Sequence, residues 1–306
     1  MSEHTIAGTH TLRSDMESPG FERIVPRDAV VETIATGCIF TEGPVWNARD
    51  GYFLWTDIIG DCILKWSDDE GVTPFIDPSG HANGLTYDRD GRLVAAGYGS
   101  RCIWRLEPDG CMHVIASHFE GKKIHAPNDI VVKSDGSIYW TESTGGLYHP
   151  GMCGDDVQQY LDYKAVFRLS PDGSTITPVV DDFEAPNGLA FSPDESLLYI
   201  NDTRRRHIRV FDVRADGTIT NGRVFYEAKG DEPGNPDGMK VDVEGNVYCT
   251  GSGGIHIMDP DGKLLGRIRL NMVSNMAWGD ADWRTLYITR RPEVHRVRLN
   301  IPGAPV

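Results

Sequence analysis

The chain has 306 residues, with 45 acidic side chains against 30 basic ones and a formal charge of −15. That balance argues against a nucleic-acid partner, because phosphate contacts depend on clustered Lys and Arg. No run of about 18 apolar residues occurs, so no membrane-spanning helix is expected, and the start, Met1-Ser2-Glu3-His4-Thr5, lacks a basic stretch followed by an apolar one, which points to a cytoplasmic protein.

Residues 1–28 read as an extension, and residues 29–35, Ala-Val-Val-Glu-Thr-Ile-Ala, have strand character. A pattern then begins that returns six times. It opens with Thr41-Glu42-Gly43-Pro44-Val45-Trp46, turns at Arg49-Asp50-Gly51 and re-enters a strand at Leu54-Trp55. The second copy is Ala82-Asn83-Gly84-Leu85, with its turn at Asp90-Gly91. The third is Pro127-Asn128-Asp129-Ile130-Val131, followed by Asp135-Gly136 and Tyr139-Trp140. Pro186-Asn187-Gly188-Leu189-Ala190, Pro236-Asp237-Gly238-Met239 and Ser274-Asn275-Met276-Ala277-Trp278 complete the set. Third strands follow, as in Cys62-Ile63-Leu64-Lys65-Trp66 and Cys102-Ile103-Trp104-Arg105-Leu106. Four of them run into D-G turns at Asp109-Gly110, Asp172-Gly173, Asp216-Gly217 and Asp261-Gly262, which is hairpin chemistry. None of these turns continues with the spacing and terminal Glu of an EF-hand.

A period of roughly 40 to 60 residues with several short strands per copy is the signature of a radial or stacked repeat. The sequence therefore predicts an all-β fold, a six-bladed β-propeller with four-stranded blades, as a single domain over residues 1–306. The sixth repeat ends at Ile301-Pro302-Gly303 with no room for a fourth strand. The stretch 29–35 is expected to supply it and close the ring, removing open edges that invite aggregation. Six cysteines show no C-x-x-C pair, and a chain of this size needs no disulfides, so reduced thiols are expected.

One oxygen-bearing side chain opens each repeat: Glu42, Asn83, Asn128, Asn187, Asp237 and Asn275. In a propeller the first strand of every blade lines the channel, so the six oxygens should converge near one mouth. A hard cation takes six to eight oxygen ligands, and two carboxylates match the charge of a divalent ion. Ca²⁺ is the expected cofactor, with Zn²⁺, Mn²⁺, Fe²⁺ or Mg²⁺ as alternatives. No G-x-S-x-G elbow, H-E-x-x-H zinc motif or dinucleotide fingerprint is present.

The segments Glu42-Gly43-Pro44-Val45-Trp46, Pro127-Asn128-Asp129, Pro186-Asn187-Gly188-Leu189-Ala190-Phe191-Ser192-Pro193-Asp194 and Pro236-Asp237-Gly238-Met239 resemble the motifs of the gluconolactonase, regucalcin (senescence marker protein) and luciferin-regenerating enzyme family. The resemblance covers nearly the whole chain in order and is closest to the bacterial gluconolactonases. It implies a six-bladed propeller with a divalent ion in the channel, and hydrolysis of a sugar lactone. Motif matching puts Glu42, Asn187 and Asp237 at the metal, and Asn128 at a further ligand or a substrate contact. Animal members carry an Arg two residues before the Asn matching Asn128, where this chain has Ala126.

The implied activity is opening of an aldonolactone to its aldonic acid. Asp237 is read as the general base or as a ligand only, and Asn128 is grouped with it. The alternatives are hydrolysis of another ester, such as an aromatic lactone or phosphotriester, and a non-catalytic calcium-binding propeller. Substrate contacts are expected from Asn83 and Asn275, and from mouth loops bearing His81, Arg101 and Tyr148. Arg204, Arg205, Arg206, Arg290 and Arg291 add a positive rim. The interruption at residues 143–164 is expected to form a mouth loop, in which Tyr148 and Tyr160 either face a sugar ring or pack the loop down.

Overall fold

The computed structural model describes residues 8–305; the opening residues on which the cytoplasmic expectation leaned lie outside the described residues. Six antiparallel sheets stand in a ring, each with an innermost strand on the channel. Blade 1 consists of Thr41–Asn47, Tyr52–Asp57, Cys62–Ser67 and Gly71–Ile76. Blade 2 starts with Ala82–Tyr87, blade 3 with Ala126–Val132, blade 4 with Pro186–Phe191, blade 5 with Met239–Val241 and blade 6 with Val273–Gly279. The protein is thus the six-bladed β-propeller that the repeat implied.

Second strands are buried on both faces because each blade is sandwiched between two others. In Tyr52–Asp57, side chains alternate across the sheet. Phe53 and Trp55 meet Ala277 and Tyr287 of blade 6, whereas Leu54 meets Leu85 and Ala95 of blade 2. The same division recurs around the ring, with Trp140 and Phe167 packed on blade 2 and Tyr139 on blade 4. The apolar core is therefore six inter-blade layers with no single centre.

Closure follows the expected route. Val30–Ala35 pairs antiparallel with Glu293–Arg298 and becomes the outer strand of blade 6. Arg296 on that last strand donates to Glu32 at 2.7 Å, a cross-strand ion pair that holds the register. The extension goes further. Thr9–Thr11 adds a fifth strand outside Val30–Ala35, and Ser14–Met16 adds one outside blade 5. The short helix Gly20–Ile24 buries Phe21 and Ile24 in the layer between blades 5 and 6. Among the described residues no helix is long and apolar enough to cross a membrane, and all six cysteines are free thiols.

Ile34 lies in the closing strand and is buried beside Phe53 and Trp55. Ile34→Ala is expected to lower the unfolding free energy by about 2–5 kcal/mol, while exposed Ile39→Ala stays within about 0.5 kcal/mol. Urea denaturation checks this; a neutral Ile34→Ala would mean that the closing strand is not part of the cooperative ring.

Candidate metal centre

The oxygen-bearing residues sit where the innermost strands bulge. Register shifts fall between Glu42 and Val45, Ala82 and Leu85, Pro127 and Ile130, Pro186 and Leu189, and Val273 and Asn275. A bulge leaves a residue out of the ladder and re-aims its side chain. In blade 5 Asp237 precedes the strand, and its N–H donates to Thr250 Oγ1 at 2.8 Å.

Second strands brace these bulges. Thr56 Oγ1 donates to the Asn83 carbonyl across the blade boundary at 3.2 Å, and Asn201 Nδ2 donates to the Asp237 carbonyl at 2.5 Å. Thr141 and Thr289 accept from the N–H groups of Asp129 and Asn275 at 3.1 and 3.0 Å. The residue after each of four slots must be glycine for a steric reason. A Cβ on Gly43 would overlap the Asn83 carbonyl, one on Gly188 the Asp237 carbonyl, and one on Gly238 the Asn275 side chain. On Gly84 it would lie 2.7 Å from the Asn128 carbonyl oxygen.

This spacing brings the slots together. Asn275 Nδ2 donates to Glu42 Oε2 at 3.0 Å, and the Gly43 N–H donates to the same oxygen at 2.8 Å. Asn187 hydrogen-bonds the Asp237 carboxylate and also donates to Thr203 Oγ1. Asn128 meets the phenol of Tyr98. Asn83 is buried, and its Oδ1 has no partner.

Burial pushes Glu42 up to about 7; the charge of Asp129 pushes the same way, against the Gly43 N–H, the Asn275 amide and the Lys240 ammonium. Asp237 is raised well above the usual carboxylate range, first by burial and then by Glu42. The two carboxylates thus repel each other in a site that lacks bulk water to screen them. Among the described residues no three His, Cys, Asp or Glu side chains cluster as a metal site by themselves. An ion held here would therefore need amide oxygens. Glu42, Asp237, Asn187 and Asn128 supply such a set, and the unpartnered Asn83 oxygen fits it too. An all-oxygen set of two carboxylates and amides suits a hard divalent cation.

Residues 40–291 match the SMP-30/Gluconolactonase/LRE-like region family. The chain belongs to this family. It is 33% identical over 310 aligned residues to a gluconolactonase of Zymomonas mobilis, covering 94% of this chain and 86% of the relative. The pentonolactonase XacC of Haloferax volcanii is 26% identical, with 85% and 84% covered. A solved structure from Xanthomonas campestris, described as a gluconolactonase, superposes with a TM-score of 0.89 at 31% identity over 97% of this chain and 99% of that one.

In this SMP-30/gluconolactonase family member, the mouth residues separate into two groups. Arg101, expected at the substrate, is only 1% exposed. Its guanidinium donates to the carbonyls of Ile124, His125 and Asp156 at 2.8–3.0 Å and pairs with the Asp156 carboxylate at 3.2 Å. A buried guanidinium must fill its donors locally, so the geometry gives Arg101 the role of a latch on the mouth loop. Tyr160 packs over it, 5.3 Å from the guanidinium carbon to the ring centre. Tyr148 is 62% exposed and reaches Gln159 of its own loop at 3.3 Å. His81 is half-buried, with Nδ1 donating to the Ile58 carbonyl at 2.8 Å.

Three further side chains near these slots were not singled out by the sequence pattern. Tyr98 packs under Gly145 and Gly146, where any Cβ would collide with its ring or hydroxyl, and contacts Asn128. Asp129 occupies the place that glycine takes in four repeats; its Oδ2 is buried without a hydrogen bond. Lys240 extends from the blade 5 inner strand to 3.9 Å from that oxygen. The break in the glycine pattern at Asp129 was the visible signal. Below the ring, at the opposite end of the channel, a cavity of about 630 Å³ is lined by residues including Trp46, Leu85, Ile130, Phe191 and Trp278.

Gly188→Ala should destabilise the protein by about 1–3 kcal/mol through overpacking and displace Asp237. Thermal unfolding with and without added Ca²⁺ measures both effects; an unchanged melting temperature would show that the blades can separate there without cost.

Proposed function

We propose that the protein is a metal-dependent lactone hydrolase that opens a sugar lactone, of the aldonolactone class, to its acid. The observation that carries this reading is the convergence of two carboxylates, buried Glu42 and half-buried Asp237, with four amides at one mouth of the channel. Membership of the SMP-30/gluconolactonase family and the names of the Zymomonas and Xanthomonas relatives support the substrate class. Glu42, Asn187, Asp237 and Asn128 would hold the ion, with Ca²⁺ the best match to an oxygen-only set.

When bound, a divalent cation would polarise the lactone carbonyl and acidify a water molecule. The protein groups set the geometry for that chemistry. Asp237 is anchored through its backbone by Thr250 and Asn201, which fixes where its side chain leaves the main chain. It accepts the proton of the attacking water, while Asn187 orients it. Asn275 and the Gly43 N–H hold one oxygen of Glu42. Tyr98 orients Asn128 and forms the floor beneath the mouth loop. The apolar surface around Tyr98, from Ile58, Ala126 and Met152 with Phe40 and Ile59 packed against it, keeps bulk water from the carboxylates.

Asp237→Ala and Glu42→Ala should each lower turnover by more than about a hundredfold, beyond the 10–100-fold typical of groups that merely support ligands. Asn83→Ala and Asn275→Ala should fall within that supporting range. The assay is acid release, followed with a pH indicator, from a panel of sugar and aromatic lactones, using chelated protein with Ca²⁺, Zn²⁺, Mn²⁺ or Fe²⁺ restored. Wild-type turnover in Asp237→Ala would overturn the mechanism. Failure of every lactone despite metal binding would move the assignment to another ester or to a binding role.

A further inference from the structure

The basic rim is not uniform. Arg204 stands 3.8 Å from Glu184. Arg205 donates to the Asp182 carbonyl at 2.8 Å, and Arg206 to the Gly230 carbonyl at 3.0 Å. Arg290 donates to the Asn271 carbonyl at 2.7 Å and pairs with Glu293. Arg205, Arg206 and Arg290 are thus occupied in holding one loop to another, and Arg204 faces an acidic neighbour. Among the described residues Arg291 differs: it has no hydrogen bond or ion pair, and its guanidinium carbon lies over the Phe40 ring, 4.0 Å from the ring centre.

That stacking fixes where the charge sits. The turn bearing Arg291 lies between the second and third strands of blade 6, on the mouth side. It is tied to the segment that leads into Glu42: the Cys38 N–H donates to the Pro292 carbonyl at 3.3 Å, and Thr41 Oγ1 donates to the Glu293 carbonyl at 3.3 Å. Phe40 itself packs against the apolar floor containing Ile58, Tyr98 and Met152. A cation over an aromatic face is held without using its N–H donors, so the planar fork remains available for an oxygen pair. Its charge is also within electrostatic reach of Asp237, where it opposes the effect of Glu42.

We propose that Arg291 is a substrate-binding residue that receives the carboxylate formed when the sugar lactone opens. This rests on the lactone-hydrolase reading above. In that reaction a water oxygen adds to the carbonyl carbon, the ring carbon–oxygen bond breaks, the ring oxygen leaves as a hydroxyl with one proton, and the acid releases the other to solvent. A new carboxylate thus appears at the mouth, beside a centre whose two carboxylates already balance the charge of a divalent ion. Arg291 is the uncommitted side-chain cation on that rim and offers a bidentate partner. It also provides a cation for sugar recognition in a chain that has Ala126 two residues before Asn128.

The test compares wild type, Arg291→Ala, Arg291→Lys and Arg204→Ala at saturating divalent metal. Gluconate affinity is measured by calorimetry, and KM and kcat are measured on gluconolactone. Arg291→Ala should weaken gluconate binding about 10- to 100-fold, the range expected for a charge-assisted hydrogen bond. KM should rise more than kcat falls. Arg291→Lys should recover part of the loss, and Arg204→Ala should remain within about twofold of wild type. If wild type hydrolyses lactones but Arg291→Ala binds gluconate within about twofold, the inference fails and the hydrolase reading stands. If wild type neither hydrolyses any aldonolactone nor binds gluconate, both fall.

Discussion

At four of the six slots the inner strands approach so closely that a methyl group does not fit between consecutive blades. Gly43, Gly84, Gly188 and Gly238 each face the backbone or side chain of the next slot at distances no Cβ would tolerate. This constraint governs the mouth of the channel that holds the six slots. Backbone atoms in contact can exchange hydrogen bonds between blades, as the Gly188 N–H does with the Asp237 carbonyl at 3.1 Å and the Gly238 N–H with the Ser274 carbonyl at 2.7 Å. The slot side chains, displaced from the ladder by bulges, are left to crowd into the channel.

Crowding has an electrostatic consequence. Glu42 and Asp237 bring two carboxylates into one poorly hydrated space, within electrostatic reach of Asp129, which faces the Lys240 ammonium at 3.9 Å. For Glu42, burial reinforced by the charge of Asp129 favours the protonated form and holds it near 7, and Asp237 is raised by burial and by Glu42. A propeller does not need these charges for stability; its six inter-blade layers are apolar and independent of them. Carboxylates raised in this way, in a fold whose layers do not need them, are what the proposed hydrolase reading draws on.

The mouth illustrates how the same residue type serves two ends. Arg101 is buried and filled by carbonyls, so it fixes the loop through Asp156 and supports Tyr160. Arg291 is exposed and stacked on Phe40, with its donors unused. Burial forces a guanidinium to satisfy its donors within the protein, whereas stacking holds one in place and leaves them open.

The sequence by itself determined the propeller, its blade boundaries and its closure, because period-two burial, turn residues and the repeat period are local signals. Val30–Ala35 had to find Glu293–Arg298, since the last repeat lacked a strand and an open edge is unstable. The identity of the six slots was equally legible, as each carries its oxygen before a strand. What tertiary structure alone decided is which side chains share the mouth and what they do there. Neither Asp129 with Lys240, nor Arg101 with Asp156, nor Arg291 with Phe40 is marked by spacing, because each pair joins residues separated by 55 or more positions. Their proximity exists only after the ring has closed, and the availability of an arginine depends on the partners that closure brings to it.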